Sequence, residues 1–328
     1  MPLHDDDWRR RARSAAWWST VVGLLLTGAA AAVTLSWRDD LPARVGSHWD
    51  GTGTVDDTQS VEEFVLFATL TAVAMTVLFA GLCLALGRNA SVRRTLAGAI
   101  VWSGGLGAAL MLSLAPQRDL ADGSQATMPG WLLALVLLAP VVPAIIAAAL
   151  VPGDPHRPTA DPVPADAPRA ALAPGQEPVW TASIGVGTTG LVVSVAVAGG
   201  MVAGAVLTRL WVLLIPAASV VVLLAAVLAF TARIDTDGLR VRSVLGWPRT
   251  HVPADEVVRA SVTQVNPLGD FGGWGWRAGF DRRSVGVVLR TGDALTVERT
   301  GDRVFVVTVD DAAEAAALLN TVADRARS

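Results

Sequence analysis

Two short stretches gather the side chains best suited to recognition or chemistry. The first reads Leu41-Pro42-Ala43-Arg44-Val45-Gly46-Ser47-His48-Trp49-Asp50-Gly51-Thr52-Gly53-Thr54-Val55-Asp56. His48 supplies an imidazole, a titratable group, and Trp49 supplies a large amphipathic ring beside it. Asp50, Asp56 and Asp57 make the rim acidic. Pro42 and the glycines predict tight turns. Such a constellation suits recognition of an extracytoplasmic peptide or protein. The alternative is a loop folded onto a membrane surface, with Trp49 as an interfacial anchor and His48 bonded to backbone. A metal held by His48, Asp50 and Asp56 matches no standard ligand spacing, and Asp-Gly turns account for the same acids. The second stretch reads Phe271-Gly272-Gly273-Trp274-Gly275-Trp276-Arg277, followed by Phe280, Arg282 and Arg283. Its glycines let the backbone fold tightly. Three readings stand for it: docking on the inner leaflet or on helix ends, capture of a partner peptide, or internal packing.

Elsewhere the chain is poor in reactive groups. His4, His48, His156 and His251 are scattered, and Cys83 is the only cysteine, set inside an apolar run. No Ser-His-Asp set, metal-spaced His/Cys cluster or P-loop emerges. We expect no enzyme, no cofactor and no metal. Gly185, Gly187 and Gly190 fit G-x-G-x-x-G. That fingerprint needs a strand and a helix in a βαβ unit, whereas here it opens an apolar run. Close helix packing is the preferred reading, as for the G-x-x-x-G spacing of Gly200 and Gly204.

The elements around these stretches are set by hydropathy. Mean hydropathy is +0.48 and 52% of residues are hydrophobic. Uncharged blocks of spanning length predict six transmembrane helices, at about 17–36, 64–86, 96–114, 131–150, 184–206 and 210–230. None of the six cores holds Asp, Glu, Arg or His, which argues against ion or proton pumping. Trp17, Trp18, Trp37, Trp131, Trp180 and Trp211 stand near the ends, where indoles prefer the headgroup level. All 26 basic residues are Arg. With the N-terminus inside, Arg9, Arg10, Arg11, Arg13, Arg88, Arg93, Arg94, Arg157, Arg169 and Arg233 fall inside. Arg38, Arg44, Arg118 and Arg209 fall outside. The positive-inside rule favours that orientation, with both termini cytoplasmic, the loop 37–63 outside and the first span an uncleaved anchor. The domain reading is a four-span membrane part over 1–150, a linker over 151–181, a transmembrane hairpin over 182–231 and a soluble domain over 232–328. The linker is rich in Pro, Ala and Asp and reads as disordered or polyproline-like.

From about Ala232 alternation replaces apolar blocks. Strands are expected at 233–235, 239–244, 249–252, 257–265, 285–290, 294–299 and 303–309. Asp237-Gly238 should turn the first pair and Thr291-Gly292-Asp293 the pair 285–290 with 294–299. A helix should follow, capped by Asp310 or Asp311, with Ala315, Leu318, Leu319 and Val322 as its apolar stripe. The fold class is thus an α-helical integral membrane bundle followed by a soluble α+β domain, antiparallel strands closed by one C-terminal helix.

Two resemblances attach to these residues. Pro42, His48, Trp49, Asp50, Gly53 and Asp56, between a first and second span, resemble the domain of unknown function that opens SdpI-type bacterial immunity proteins. The likeness covers about residues 15–90, and that family commonly carries Asn where Asp50 stands. It implies a membrane protein of the sensor or immunity kind. Residues 232–326 resemble the bacterial pleckstrin-homology-like (PH-like) fold, with the 271–277 run as its matching segment. The expected partners are the lipid bilayer, an extracytoplasmic peptide or protein, and a membrane-protein partner. The small net charge of -3 gives no field for nucleic acid. A non-enzymatic sensor or immunity protein leads. A scaffold of an envelope assembly and a pore or carrier for neutral substrates are the alternatives.

Overall fold

The computed structural model describes residues 5–50, 54–173, 176–185, 188–208, 214–281 and 283–327. Two compact units emerge, Met1–Asp154 with Ala203–Ile215, and Pro155–Val202 with Pro216–Ser328.

The first unit opens with α1 (Asp5–Ser36). A hairpin of β1 (Val45–Trp49) and β2 (Val55–Gln59) follows, then α2 (Val61–Leu86), α3 (Ala90–Leu112), α4 (Gly130–Leu138) and α5 (Val141–Leu150). Among the described residues four stretches are long and apolar enough to cross a membrane: Asp7–Ser36, Val61–Leu86, Ala90–Gln117 and Gly130–Leu150. The last is broken at Ala139 and Pro140, because Pro140 lacks the N–H that would continue the helix and its ring crowds the preceding turn. Large apolar side chains such as Leu25, Leu66, Phe67, Leu70 and Ile145 lie on the exposed faces, which is consistent with a membrane protein.

Helix α3 lies at the centre, packing against α1, α2 and α5. Of its most apolar stretch 56% is buried, against 22–28% in the other three. Its glycines make this packing close. A Cβ on Gly104 would collide with the backbone of Gly23 in α1, and one on Gly107 would stand 2.7 Å from Ala72 Cβ in α2. At the α1 crossing Thr27 Oγ1 donates to Gly23 O at 3.0 Å and to Gly104 O at 3.3 Å. The Gly200 position, by contrast, meets no described atom within 4 Å.

Arg93, 1% exposed, closes the other end of α3. It donates to the carbonyls of Gly87 and Arg88 at 3.0 and 2.9 Å and pairs with Asp154 at 2.6 Å. Asp154 also accepts from the Ala90 N–H at 3.0 Å. The carboxylate therefore caps the N-terminus of α3, where Asn89 offers no side-chain bond and negative charge is favourable. Removing Asp154 would leave the Arg93 charge buried without its counter-ion.

The rest of the chain adds β3 (Trp180–Gly185), α6 (Thr188–Thr208) and α7 (Leu214–Leu228), of which 203–208 and 214–215 fall in the first unit, then β4 (Ala229–Asp235), β5 (Gly238–Ser243), β6 (Arg249–Pro253) and β7 (Val257–Val265). After these come α8 (Pro267–Phe271), β8 (Gly275–Ala278), β9 (Ser284–Val288), β10 (Gly292–Arg299), β11 (Arg303–Thr308) and α9 (Ala312–Arg325). One sheet runs β3-β4-β5-β6 and the other β7-β10-β11-β9-β8. Helix α9 packs on both, against β7, β10, β4 and β5. Its Ala315, Leu318, Leu319 and Val322 enter a core shared with Phe230, Leu239, Val297 and Phe305.

Several expectations require correction. The described residues of 151–181 do not form a free linker: from Pro155 they lie as an irregular strap on the sheets and α9. Val163 and Ala167 are buried. Thr159 N–H donates to Asp255 O at 2.9 Å and Ala170 N–H to Ala317 O at 3.2 Å. Buried Asn320 donates to Pro168 O and Ala260 O, both at 2.9 Å, and accepts from the Ala260 N–H at 2.8 Å. A proline-rich segment cannot build its own ladder, but here distant elements supply both its hydrogen-bond partners and an apolar slot. Residues 180–185, placed at the linker end and the start of the fifth span, form β3 instead. The apolar helix α6 begins only at Thr188, and α7 stops at Leu228, so Phe230 joins the sheet core. Residues 285–290 and 294–299 do not pair with each other. β10 is occupied by β7 on one edge and β11 on the other, so β9 runs parallel to β11. The hairpin expected at Asp237-Gly238 forms, but its two-residue loop is Thr236-Asp237, and Gly238, at φ +121, opens β5 opposite Asp235. Asp311 stands at the N-cap of α9 without a side-chain cap bond.

A buried carboxylate ties the strap to the sheet. Glu256, 1% exposed, pairs with Arg299 at 2.5 Å and Arg303 at 3.0 Å, and accepts from the Arg157 N–H at 2.7 Å. Burial alone would raise its pKa; Arg299, the Arg157 N–H and Arg303 reverse this and hold the carboxyl below its usual range.

The close crossing of α1 and α3 generates a test. Gly104→Ala should cost about 1–3 kcal/mol by overpacking. Gly28→Ala, in α1 with no described atom within 4 Å, should be neutral or gain up to about 1 kcal/mol in helix propensity. Thermal unfolding of the detergent-solubilised chain compares the two, and equal midpoints would refute the close crossing.

Candidate functional site

The first site is an ordered cap on the α1–α2 connection. Strands β1 and β2 pair antiparallel, with register shifts on either side of His48. Below the hairpin Leu41 and Val45 are buried with Phe64, Val65, Met111 and Leu114, and Pro42 is buried beside them. Capping-box bonds between Ser60 and Glu63 start α2 directly after β2.

The loop after α3 holds the hairpin from one side. Buried Gln117 donates from Nε2 to Gly46 O at 3.0 Å and accepts from the Gly46 N–H at 2.8 Å, completing both backbone groups of that residue. A Cβ on Gly123 would stand 2.8 Å from Val45 Cα, so only glycine admits this approach. Arg118 pairs with Asp40 at 2.6 Å and lies over the Trp37 ring at 5.3 Å.

His48 and Trp49 are not presented together. The indole N–H of half-buried Trp49 donates to Ala126 O at 3.3 Å, so Trp49 serves the cap's own packing. His48 remains exposed, its Nδ1 2.6 Å from Asp56 Oδ1. Asp50 Oδ1 accepts from the Thr54 N–H at 3.0 Å, the side chain of a turn residue holding its own loop. Gly53 lies outside the described residues. The outward face therefore offers His48, Asp56, Asp57 and Asp50, all exposed. Among the described residues no three His, Cys, Asp or Glu side chains gather as a metal site would require.

The second stretch divides as sharply. Asn266 caps α8, accepting from the Leu268 and Gly269 N–H groups at 3.0 and 3.1 Å. Phe271 is buried with Val265, Val288, Ala294 and Val306. Gly272, Gly273 and Gly275 take φ of +67, +143 and +101, values a side chain disfavours. Trp276 packs into the main core, its ring 6.2 Å from both Phe230 and Phe305. Trp274 stays exposed, and Arg277 donates to its carbonyl at 3.0 Å. The stretch is thus partly internal packing, with Trp274 and Phe280 left at the surface; Arg282 lies outside the described residues.

Sequence reasoning passed over Gln117, Gly123, Arg93 as a clamp, and the β5–β6 turn. A Ser-x-x-Glu box before α2 was a readable signal; the partners of Gln117 lie 71 residues away and left none. His251 sits on the edge strand β6, 3.1 Å from Asp237 O. Gly185 does end a strand ahead of a helix, but β3 pairs antiparallel with β4, so no βαβ unit surrounds it.

Removing the Gln117 clamp should free the hairpin. Gln117→Leu leaves two buried backbone groups unpaired, at roughly 1–3 kcal/mol each. Amide exchange at residues 45–49 should accelerate while β4 and β5 stay protected; unchanged exchange would show that the clamp does not hold the cap.

Compared with protein-family models, curated proteins and solved structures, the chain matches none of them.

Proposed function

We propose that the chain is a non-enzymatic multi-pass membrane protein of the sensor or immunity kind, whose cap recognises an extracytoplasmic peptide or protein. The observation carrying this reading is the division of labour within the cap. Trp49, Gln117 and Gly123 are spent on holding the hairpin, while His48 and Asp56 are held outward by that rigid base. A surface pre-ordered in this way loses little conformational entropy when a partner binds. The exposed acids favour a ligand with basic groups, and a charged His48 would add a donor to the same face.

The reading includes six spans. Support comes from the pairing of β3 with β4. The chain between them, including α6 and α7, must leave the sheet and return to it on the same side of any membrane. Crossing twice satisfies this, and the apolar composition of both helices favours it. The cap then lies outside and the sheet unit inside, as the arginine distribution favours. The sheet unit serves as a PH-like output or tethering domain. Its two sheets and closing helix resemble that fold, while the parallel β9–β11 pair departs from simple antiparallel order.

In-cell crosslinking and co-purification test the cap. The full chain should capture a partner that the double variant His48→Ala/Asp56→Asn loses at equal expression. Trp49→Phe, which disturbs the base, should weaken capture less. The same partners retained by the double variant would rule out this face as the recognition site.

A further inference from the structure

Two surface features meet where α7 runs into β4. The β5–β6 turn reads Arg242-Ser243-Val244-Leu245-Gly246-Trp247-Pro248-Arg249. Its Val244, Leu245 and Trp247 are 60%, 54% and 73% exposed. The Val244 N–H donates to Ala229 O at 3.0 Å, which pins this turn to the first residue after α7. From the other side, a Cβ on Gly275 would stand 3.1 Å from Val227 O. The exposed Trp274 therefore flanks the last turn of the same helix.

Within the two segments the charges are all positive, with Asp270 and Asp281 just outside the second. Neither 242–249 nor 271–280 contains an acid. Arg242 and Arg249 are exposed and stand directly opposite each other on β5 and β6. Like charges in that position repel, and neither forms an ion pair among the described residues. Arg277 reaches the Trp274 carbonyl. Aromatic and aliphatic tips ringed by unpaired arginines, at the base of an apolar helix, fit the headgroup layer of a bilayer. Indole settles there, and arginine meets anionic phosphate.

We propose that the β5–β6 turn and the Trp274 corner form a docking rim that seats the sheet unit on the anionic lipid surface around the base of α7. The proposal rests on the reading that α6 and α7 cross the membrane. Docking of this kind would fix the orientation of the sheet unit to the bilayer through contacts beyond the chain itself.

Nitroxide labels on the full chain, reconstituted in phosphatidylcholine–phosphatidylglycerol vesicles, test this by relative accessibility to oxygen and to a polar nickel chelate. Leu245→Cys and Trp274→Cys report on the rim, Val222→Cys on α7 and Thr291→Cys on the water-facing sheet. Buried Cys83 in the parent chain gives the blank. The proposal expects lipid-like readings at 245, 274 and 222 and an aqueous one at 291. Aqueous readings at 245 and 274 with a lipid-like 222 overturn the rim and leave the crossing intact. Aqueous readings at all three overturn the crossing and the rim together. In Arg242→Gln/Arg249→Gln the 245 label should shift toward water in these vesicles and stay unchanged in phosphatidylcholine alone. Equal behaviour in both lipids would remove anionic lipid as the partner.

Discussion

The helices of the first unit are held at the distance a bare glycine backbone allows. Where Gly104 meets Gly23 there is no side chain on either partner, and the gain lies in dispersion and in the Thr27 hydroxyl that bonds across the crossing. In hydrocarbon the apolar side chains gain nothing by meeting each other rather than lipid, so this kind of contact has to supply the cohesion. It also explains why so many leucines, valines and isoleucines remain on the outside of the bundle.

With the helices so placed, the polar chain is confined to their ends, and each end is closed by a different device. At the start of α3 a buried arginine meets the carbonyls that end α2 and the carboxylate of Asp154. At its far end a neutral amide, Gln117, completes the backbone of Gly46 and sets the hairpin in place. The first device locks the return of the chain after α5. The second builds the base from which His48 and Asp56 project. The cap is therefore tied to the same helix that organises the bundle.

How much of this could be read in advance depends on how local the cause is. The four apolar stretches, the hairpin at Asp237-Gly238 and the stripe on α9 are set by residues a few positions apart, and they stand where periodicity put them. The strap, β3 and the order of the second sheet depend on partners far along the chain. Val163 finds α9, Trp180 finds Ile234, and β10 finds β7 before it can meet β9. At the candidate sites residue types were informative but grouping was not. His48 and Trp49 are neighbours in sequence with different partners, and Trp276 and Trp274 divide between core and surface.

The pairing of β3 with β4 makes the path of the chain the central claim, because it requires α6 and α7 to leave and return together. Impermeant maleimide labelling of single cysteines in intact cells addresses it directly. Ala43→Cys reports on the cap, Leu207→Cys on the exposed end of α6 and Thr291→Cys on the sheet unit, with the parent chain and its buried Cys83 as blank. The account predicts labelling at 43 and 207 in intact cells, and at 291 only after the cells are opened. Protection of 207 alongside 291, or labelling of 291 from outside, would contradict it.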